Sequence, residues 1–525
     1  MSAGVTAGER FRSWADIQTN AARAAGGLAA MGVDEDDSVA LMLRNVFATF
    51  ELNMAASQLG VYAVPINWHF TPEKAGYILA DSSAKALVIH ADLLAQIAPG
   101  IPAGVKVLVV PTPDEIAAAY GVPAEKRAAP AGVETWDALL ARSTPNTAPP
   151  KASRGSMIYT SGTTGRPKVG RRRPSTPEMQ QAAAQEVGRY WGIVADPSIV
   201  VLMNGPMYHS APAAYGMGSA RLGLHVVLQP RFDAEDMLRL IDRHRVSHMH
   251  IVPTMLVRLL RLPEEVRGRY DVSSLRWVAH GAAPCAPAVK RQMIEWWGPV
   301  INEYYGATET GIVVWHNSAE AVARPGTAGH VIPGATLRIV DEQGRDVKQG
   351  EIGEIYLRGP HLAEFTYNND DAKRREVALD DFVTVGDVGY QDADGYVFLC
   401  DRKRDMIISG GVNIYPAEIE SVLIHTGRAR LRGLRHPRRG VRRADLRPCR
   451  ADRRRGDRCD GRAGLSWRAR GALQGAPGRR VQFRPAARRF GQDLQTQAAR
   501  PILGKDRAFH LEGHLRHQCQ TTTSP

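Results

Sequence analysis

The sequence predicts an α/β fold with a large N-terminal domain of two doubly wound sheets, a small β-barrel-like subdomain, and a small α+β C-terminal domain. Three observations predict it. Apolar strands alternate with helical stripes up to residue 280, short alternating strands replace this pattern from Gly326, and the composition changes again after residue 426. At 525 residues the chain has room for two to four domains of roughly 100–200 residues each.

The first part of the chain alternates between helices and strands. Ala-rich apolar stripes with helical spacing predict two helices, at 14–31 and Phe47–Leu59. Short apolar runs predict three buried strands, at Ser38–Met42, 86–89 and 105–110. Such alternation indicates a parallel sheet covered by helices on both faces. A stretch rich in Pro, Ala and Thr at 142–152 is typical of a loop or linker.

The alternation returns after this linker and predicts a second α/β layer. Its predicted strands lie at 199–203, 248–252 and 276–279, and its predicted helices lie at Ala234–His244 and 253–261.

The pattern after Gly326 is different. Short alternating runs at 335–340, Gly353–Arg358 and 395–399 predict a small antiparallel sheet or barrel. A dense charge run at 401–405 is typical of a hinge. We therefore divide the chain into a domain at 1–400, a hinge with the start of a C-terminal domain at 401–426, and a tail at 427–525.

The charge of the protein is unevenly distributed. A net charge of +13 would by itself suggest a nucleic acid or an anionic membrane as partner. Residues 427–525 hold 26 of the 67 basic residues and seven of the 54 acidic ones, which gives +19. The remaining 426 residues have 41 basic and 47 acidic side chains, or −6. The basic character therefore belongs to the tail alone.

Other global features exclude several classes of protein. The five cysteines form no CxxC pair, which argues against a disulfide framework and a zinc site. The N-terminus has no basic-then-apolar signal pattern, and no apolar stretch approaches the length of a membrane span. We expect a cytoplasmic protein.

A loop rich in Gly, Ser and Thr at 159–168 follows a short apolar stub, Met157 and Ile158. Small residues let backbone amides converge on a polyphosphate, hydroxyls add donors, and Lys168 or Arg166 supplies positive charge. The spacing is not that of a Walker loop. A flexible linker is the alternative for a generic loop of this composition.

This loop resembles a signature of the adenylate-forming superfamily, which includes acyl-CoA synthetases, firefly luciferase and nonribosomal-peptide adenylation domains. Further stretches resemble motifs of the same family in the same order, at 281–284, 302–309, 385–387 and 401–420. The resemblance covers most of residues 10–426 and is to acyl-CoA synthetases of the fatty-acid and aromatic-acid CoA ligase type.

The resemblance implies an acid–CoA ligase. Such an enzyme activates a carboxylic acid with ATP and Mg²⁺, releases pyrophosphate, and transfers the acyl group from acyl-AMP to coenzyme A. The protein's task is to position the reactants and to neutralise charge. In enzymes that this chain resembles, the small C-terminal domain rotates between the two half-reactions, and Arg404 occupies the hinge position.

Site residues are also implied by the resemblance. The residues implied to bind the ATP phosphates are Thr160, Ser161, Gly162, Thr163, Thr164 and Gly165, with Lys168 as a catalytic cation. The residues implied to line the adenine are Gly281, Ala282, Ala283, Pro284 and Gly306, with Tyr305 stacking on it.

The remaining implied roles concern the reacting groups. Thr308 would meet the α-phosphate, and Glu309 would help to hold Mg²⁺, which needs only one or two protein carboxylates. Asp387 would accept hydrogen bonds from the ribose hydroxyls, and Arg402 would reach the ribose. The residues that resemble the stretch near the pantetheine tunnel are Ser409, Gly410 and Gly411.

The acyl site is expected near His209, which resembles an aromatic gate beside the carboxylate. The alternative for His209 is a core histidine. Many residues of the following helix are small, and they suggest a roomy pocket; they are Ala213, Ala214, Gly216, Gly218, Ser219 and Ala220. This favours a medium-chain, long-chain or ring-bearing acid over acetate.

The sequence departs from the family in two places. The phosphate loop usually continues Lys-Gly-Val, whereas this chain has Val169 before Gly170. The family also has a lysine near the C-terminus that bridges the carboxylate and the phosphate. Lys505 follows a glycine as that lysine does, but no Lys-Arg pair comes after it, so we interpret the match as a coincidence.

The tail has the Arg, Ala, Gly and Pro bias of GC-rich DNA translated in a wrong frame. Codons permitted for 491–500 spell Gly-Lys-Ile-Phe-Lys-Arg-Lys-Leu-Arg when the first base is dropped, which restores the lysine motif. We therefore hypothesise a frameshift near Thr426, and we expect the chain as it stands to have little adenylation activity.

Three further interpretations stay open. An adenylating enzyme can use another acceptor, such as a carrier protein or oxygen. The chain can be an inactive remnant that binds ATP and an acyl group. The tail can attract polyanions nonspecifically, although its scattered aromatic residues predict no base-stacking site and no specific nucleic-acid binding. Whether the protein is a homodimer stays open as well.

Overall fold

The computed structural model of the protein describes residues 3–159, 169–172, 174–308, 310–359, 365–367, 378–402, 407–409, 412–414, 465–466 and 482–483. The chain divides into two compact units. The first contains Met1–Asp346, Ile355–Val385 and Asp394–Phe398, and the second contains Val347–Glu354, Gly386–Ala393 and Leu399–Pro525.

The helices in the part of the chain that the structure describes belong to the first unit. They are α1 (Trp14–Ala30), α2 (Phe47–Leu59), α3 (Pro72–Asp81), α4 (Ala91–Ile97), α5 (Asp114–Tyr120), α6 (Trp136–Arg142), α7 (Pro177–Trp191), α8 (Ser210–Arg221), α9 (Ala234–His244), α10 (Pro253–Leu260), α11 (Glu264–Arg267), α12 (Pro287–Trp297) and α13 (Ser318–Ala323). In the part of the chain that is described, none of them is long and apolar enough to cross a membrane.

The strands before residue 326 are β1 (Gly4–Ala7), β2 (Arg10–Ser13), β3 (Ser38–Met42), β4 (Tyr62–Pro65), β5 (Ala84–His90), β6 (Lys106–Val110), β7 (Gly170–Arg172), β8 (Val200–Met203), β9 (His225–Leu228), β10 (His248–Ile251), β11 (Trp277–His280), β12 (Ile301–Ala307) and β13 (Gly311–His316). The later strands are β14 (Thr327–Val331), β15 (Thr336–Val340), β16 (Gly353–Arg358), β17 (Phe365–Tyr367), β18 (Ala378–Leu379), β19 (Phe382–Gln391), β20 (Tyr396–Arg402), β21 (Ile407–Ser409), β22 (Val412–Ile414), β23 (Leu465–Ser466) and β24 (Gln482–Phe483).

A four-stranded parallel sheet organises the first part of the chain, in the order β4-β3-β5-β6. One apolar cluster packs α1, α2 and α6 against it, and another packs α3 and α4 against it. Helices therefore cover both faces, as the alternation of strands and helices predicts. The predicted bounds of α2 and β3 are confirmed, and Arg142 ends α6 at the start of the predicted linker.

A larger sheet contains the second α/β layer, with the order β2-β1-β9-β8-β10-β11-β12-β13-β14. Strands β1, β9, β8, β10, β11 and β12 pair in parallel. The antiparallel neighbours β2 and β13 were not predicted, since each is joined to its partner by a tight turn rather than by a helix. The predicted helix α9 has the expected bounds, and Asp233 caps it by accepting hydrogen bonds from the amides of Glu235 and Asp236.

After Gly326, β14 and β20, β18 and β19, and β21 and β22 pair antiparallel, as predicted. Strand β14 pairs with β20. The larger sheet then continues through the parts of β20, β19 and β16 that belong to the first unit, and it ends at β15. The predicted strands therefore extend an existing sheet. In the second unit, Val388 and Cys400 form a small buried cluster with Ile352 and Tyr390, and β21 pairs with β22.

Candidate functional site

The carboxyl ends of four neighbouring parallel strands meet at one edge of the larger sheet. Strands β8, β10, β11 and β12 end there, and ligands of open α/β sheets bind in the crevice outside this edge. The segments that follow β8, β11 and β12 contain His209, Gly281 and Thr308. The sheet topology thus brings the ends of three sequence motifs to one side of the molecule.

Thr308 lies beside the start of α8. Its hydroxyl Oγ1 is 3.0 Å from the hydroxyl Oγ of Ser210, the first residue of that helix. The turn that holds Thr308 is closed by a hydrogen bond of 3.1 Å from the Ala307 amide to Thr310 Oγ1. The contact between Ser210 and Thr308 brings the implied α-phosphate threonine next to the segment of the implied acyl gate. Sequence reasoning had not identified this proximity.

Residues 282–284 form an exposed rim after β11, and Gly281 before them is buried. A Cβ on Gly281 would lie 2.7 Å from the Tyr304 carbonyl oxygen and 2.8 Å from its ring, so only glycine fits there. Ala282 adopts a left-handed backbone conformation with φ of 66°, which is strained for a residue with a Cβ. Ala282, Ala283 and Pro284 are all exposed. Backbone strain of this kind concentrates at ligand sites.

Strand β12 has a second steric constraint at Gly306. A Cβ there would lie 1.9 Å from the Gly311 carbonyl oxygen across the β12–β13 pair, where the register shifts. Its neighbour Tyr305 is buried. The glycine in this motif is therefore required by the close packing of β12 against β13, just before Thr308.

His209 precedes α8 and is exposed, so it is not a core histidine. Its ring centroid lies 4.5 Å from that of Tyr208, and the Tyr208 ring makes an edge contact of 4.5 Å with Trp68. Asn45 holds the same loop, since its side chain donates to the Gly205 carbonyl at 2.8 Å and accepts from the Met207 amide at 3.0 Å. The loop thus contacts residues that follow strands of the smaller sheet.

A buried charged cluster lies beneath the 302–309 motif and was missed by sequence reasoning. Lys290 on α12 forms an ion pair with the Glu303 carboxylate, which also contacts His316 Nε2 at 3.0 Å. Burial favours a raised pKa of Glu303, but the charge of Lys290 and the hydrogen bond with His316 oppose it, and that pKa lies far below its usual range. The only signal in the sequence was Glu303 within a predicted motif. Its partner Lys290 lies on a different element, so the sequence did not indicate the pair.

His280 also belongs to this cluster. It ends β11, its Nε2 lies 3.8 Å from Glu303 Oε2, and neither of its ring nitrogens has a hydrogen-bond partner. Burial is the main cause that lowers the pKa of His280 to about 3. At neutral pH His280 is therefore a neutral imidazole, two residues before the exposed rim at 282–284.

Several implied site residues lie outside the described residues. These are Thr160, Ser161, Gly162, Thr163, Thr164, Gly165, Lys168, Glu309, Gly410 and Gly411. Both flanks of the 160–168 loop are anchored. The Tyr159 hydroxyl donates to Asp81 at 2.7 Å, and Val169 packs in the core of the smaller sheet. Val169 therefore fills a core position, and Gly170 after it begins β7.

The implied ribose and pantetheine residues lie in the second unit. Asp387 is a half-buried residue of β19 and follows Gly386, which has a φ of 81°. Arg402 ends β20 and Ser409 ends β21. Their roles stay predictions.

Comparison with known proteins identifies the family. Residues 3–365 match the model of the AMP-binding enzyme family. The chain is 32% identical over 422 residues to an indoleacetate–CoA ligase of Aromatoleum aromaticum, with 79% of this chain and 78% of that protein covered. It is 30% identical to a fatty acid–[acyl-carrier-protein] ligase of Streptomyces coeruleorubidus, with 79% of this chain and 76% of that protein covered.

A solved structure supports the same assignment. The O-succinylbenzoate coenzyme A synthetase of Bacillus subtilis, in complex with ATP and magnesium ion, superposes with a TM-score of 0.66 and 26% identity. The match covers 81% of this chain and 82% of that one. AMP-forming CoA ligases use ATP, Mg²⁺ and CoA. The protein therefore belongs to the AMP-binding enzyme family and is, by family, an AMP-forming acid–CoA ligase of the adenylate-forming superfamily.

Proposed function

We propose that the chain contains the ATP- and acid-binding body of a ligase that activates a medium-chain, long-chain or ring-bearing carboxylic acid. The contact between Ser210 and Thr308 is the observation that supports this most directly. The acid would enter beside His209, and its carboxylate would meet the α-phosphate held near Thr308. Attack of a carboxylate oxygen on the α-phosphorus forms acyl-AMP, and the bond to pyrophosphate breaks.

The residues of the rim suit a nucleotide. The exposed residues Ala282, Ala283 and Pro284 would line the adenine, with Tyr305 in the neighbouring strand. The 160–168 loop would hold the phosphates, Glu309 would help to hold Mg²⁺, and Asp387 and Arg402 would bind the ribose. The acyl group would then pass to CoA, whose pantetheine arm we place near Ser409, Gly410 and Gly411.

The acyl acceptor is coenzyme A in this proposal, and a carrier protein is the alternative. One relative is named as a ligase that acts on an acyl carrier protein, which favours a carrier protein as the alternative to CoA. AMP release that depends on CoA supports the first acceptor. AMP release that needs a carrier protein, with none when CoA alone is added, supports the second.

We expect the activity of this chain to be low because of its tail. Residues 427–525 contain two Val, one Ile and no Tyr or Met, so they offer little apolar surface to offset chain entropy. The lysine motif of the family is missing as well. Acid-dependent exchange of labelled pyrophosphate into ATP tests this in the chain and in a variant whose reading frame is restored after Thr426.

The restored variant is expected to exchange pyrophosphate at least about 100-fold faster, because one positioned cation at a developing charge contributes a factor of that order. Equal rates in the two proteins would contradict the proposed impairment. No exchange in either protein, with any acid of a broad panel, would contradict the proposed function itself.

A further inference from the structure

The exposed rim at 282–284 belongs to the connection between β11 and α12. This connection comprises residues 281–286, and we call it the rim loop. Strand β11 ends at His280 and α12 begins at Pro287. Within the loop, Ala282 has a left-handed backbone with φ of 66°. A strained conformation of this kind persists only where the surrounding structure holds it, so the contacts at the two ends of the loop decide its shape.

Glu303 on β12 lies next to both ends of the rim loop. On the β11 side, His280 stands opposite Glu303 in the parallel strand pair, and its Nε2 is 3.8 Å from Glu303 Oε2. On the other side, Lys290 is the fourth residue of α12, and its ammonium forms an ion pair with the same carboxylate oxygen. The rim loop is therefore held between a strand that pairs with β12 and a helix that Lys290 ties to β12.

Lys290 is fixed by a second contact as well. Its side chain is 4% exposed, and its Nζ lies 3.1 Å from His316 Nε2. His316 stands opposite Glu303 in the antiparallel pair of β12 and β13. The cation of α12 is thus surrounded by side chains of two neighbouring strands. Removing one partner from a buried ion pair leaves an uncompensated charge, so the tie cannot be lost without consequence.

The rim loop also touches these elements through its own residues. A Cβ on Gly281 would lie 2.7 Å from the Tyr304 carbonyl oxygen, so the start of the loop packs against the residue after Glu303. Near its end, burial and the charge of Glu303 raise the pKa of the Cys285 thiol to about 12, against the opposing charge of Lys290. Because the thiolate is the reactive form of cysteine, this thiol is unreactive while the loop keeps its place.

We propose that Lys290 is a positioning residue for the nucleotide, which acts through Glu303 by holding the rim loop in the shape that lines the adenine. The inference rests on the proposed nucleotide site at 281–284 and adds to it a residue of α12 whose own contacts are with Glu303 and His316. The effect is on affinity, because a loop that is ordered before binding costs less free energy to bind.

Equilibrium binding of ATP with Mg²⁺ to the full-length chain tests this without turnover, since no carboxylic acid is added. Isothermal titration calorimetry would compare the parent chain with Lys290→Met, below the unfolding transition of each protein. We expect Lys290→Met to bind ATP about 10-fold or more weakly, because the nucleotide then has to order the loop.

Alkylation of Cys285 by iodoacetamide, followed by mass spectrometry, reports on the rim loop itself. Loss of the Lys290 charge alone would raise the pKa of this thiol further and slow its alkylation. Release of the loop would expose the thiol to water and speed its alkylation. We expect faster alkylation of Cys285 in Lys290→Met than in the parent chain.

Arg44→Met is the matched control. Arg44 follows β3 in the smaller sheet, and it forms an ion pair with Asp92 at 2.8 Å whose side chains are as deeply buried as those of Lys290 and Glu303. The control therefore also removes the cation of a buried pair, and it should lose comparable stability. Its affinity for ATP should stay within about twofold of the parent value, because the two sites share no partner.

Lys290→Met combined with Glu303→Gln separates positioning from stability, and it replaces the single variant if that variant does not fold. The double variant contains no unpaired buried charge, so its free energy of unfolding should partly recover. Neither neutral side chain ties α12 to β12 by an ion pair, so ATP should still bind about 10-fold or more weakly than to the parent chain.

The outcomes distinguish the inference from the proposed function. If Lys290→Met binds ATP as the parent chain does, or alkylates no faster at Cys285, the inference is wrong and the proposed function stands. The same holds if the double variant regains affinity together with stability, or if Arg44→Met loses as much affinity as Lys290→Met. If the parent chain binds no ATP, the proposed function fails and the inference fails with it.

Discussion

At the scale of single residues, we expect the buried ion pair of Lys290 and Glu303 to stabilise the fold around the 302–309 motif. Lys290→Met would leave the Glu303 carboxylate buried without its cation. Loss of one partner of a buried pair costs about 3–5 kcal/mol of the free energy of unfolding. Urea denaturation would measure this loss, and Lys290→Met combined with Glu303→Gln should recover part of it.

The neighbouring residue Arg291 supplies the control for this prediction. It forms an exposed pair with Glu295 at 3.8 Å on the same helix, and such pairs contribute about 0–1 kcal/mol. Arg291→Met should therefore change the free energy of unfolding little. If Lys290→Met and Arg291→Met lowered the free energy of unfolding by the same amount, the buried ion pair would not stabilise the fold more than the exposed one.

His280 predicts how stability changes with pH. Burial lowers its pKa from 6.5 to about 3, so the folded protein holds a neutral imidazole where the unfolded chain takes up a proton. Stability is then full above pH 6.5 and falls as the pH drops from there towards 3. The slope for one such group is about 1.4 kcal/mol per pH unit.

His280→Leu should reduce that slope by about 1.4 kcal/mol per pH unit between pH 6 and pH 4, because one proton fewer is taken up on unfolding. The free energy of unfolding measured by urea denaturation at each pH gives the slope. His69, which is exposed, provides the control as His69→Gln. An unchanged slope in His280→Leu would mean that this buried imidazole does not titrate on unfolding.

At the scale of elements, Asn45 connects the two sheets through one loop. Its side chain holds the Gly205 carbonyl and the Met207 amide, just before His209 and α8. Asn45→Ala would leave both backbone groups unpaired and should cost about 1–3 kcal/mol. Hydrogen–deuterium exchange should become faster in residues 204–209.

Asn53→Ala is the matched control, since the Asn53 side chain donates at 2.7 Å to the Thr49 carbonyl inside α2. It should leave exchange in residues 204–209 unchanged. Faster exchange of that loop in both variants would show that general loss of stability, rather than the loss of the Asn45 contacts, explains the result.

The elements also show what a sequence can and cannot predict. Helices such as α2 and α9 follow from periodic apolar positions, and their bounds were predicted correctly. Strand β13 was missed, because its signal is a short turn after the 302–309 motif rather than a new crossover. The contact of Ser210 with Thr308 could not be predicted, since it depends on two parallel strands ending at the same edge.

The sequence predicts a candidate site only where that site consists of contiguous motifs. Gly281 and Gly306 stand where neighbouring backbone leaves no room for a Cβ, so they are constrained by packing as well as by any ligand. The aromatic cluster of Trp191, Tyr215, His250 and Tyr304 combines residues from two helices and two strands and has no linear signature. Physical contact between distant segments is the information that the sequence does not display.

At the scale of the whole molecule, the net charge of +13 is the sum of −6 on residues 1–426 and +19 on the tail. A segment with this charge attracts any polyanion through release of its counterions, without a defined site. We expect the chain to bind heparin and DNA of any sequence with similar affinity at low salt. Restoring the reading frame after Thr426 should remove this binding, because it removes the arginines.

Heparin chromatography and gel shifts at several salt concentrations would measure the effect. For the chain as it stands, the logarithm of the binding constant should fall linearly with the logarithm of salt, with a slope of about −0.9 for each phosphate contacted on duplex DNA. The restored variant should elute from heparin at low salt. If both proteins eluted together, or if one DNA sequence were strongly preferred, the binding would come from the body of the protein or from a specific site, and the basic tail would not explain it.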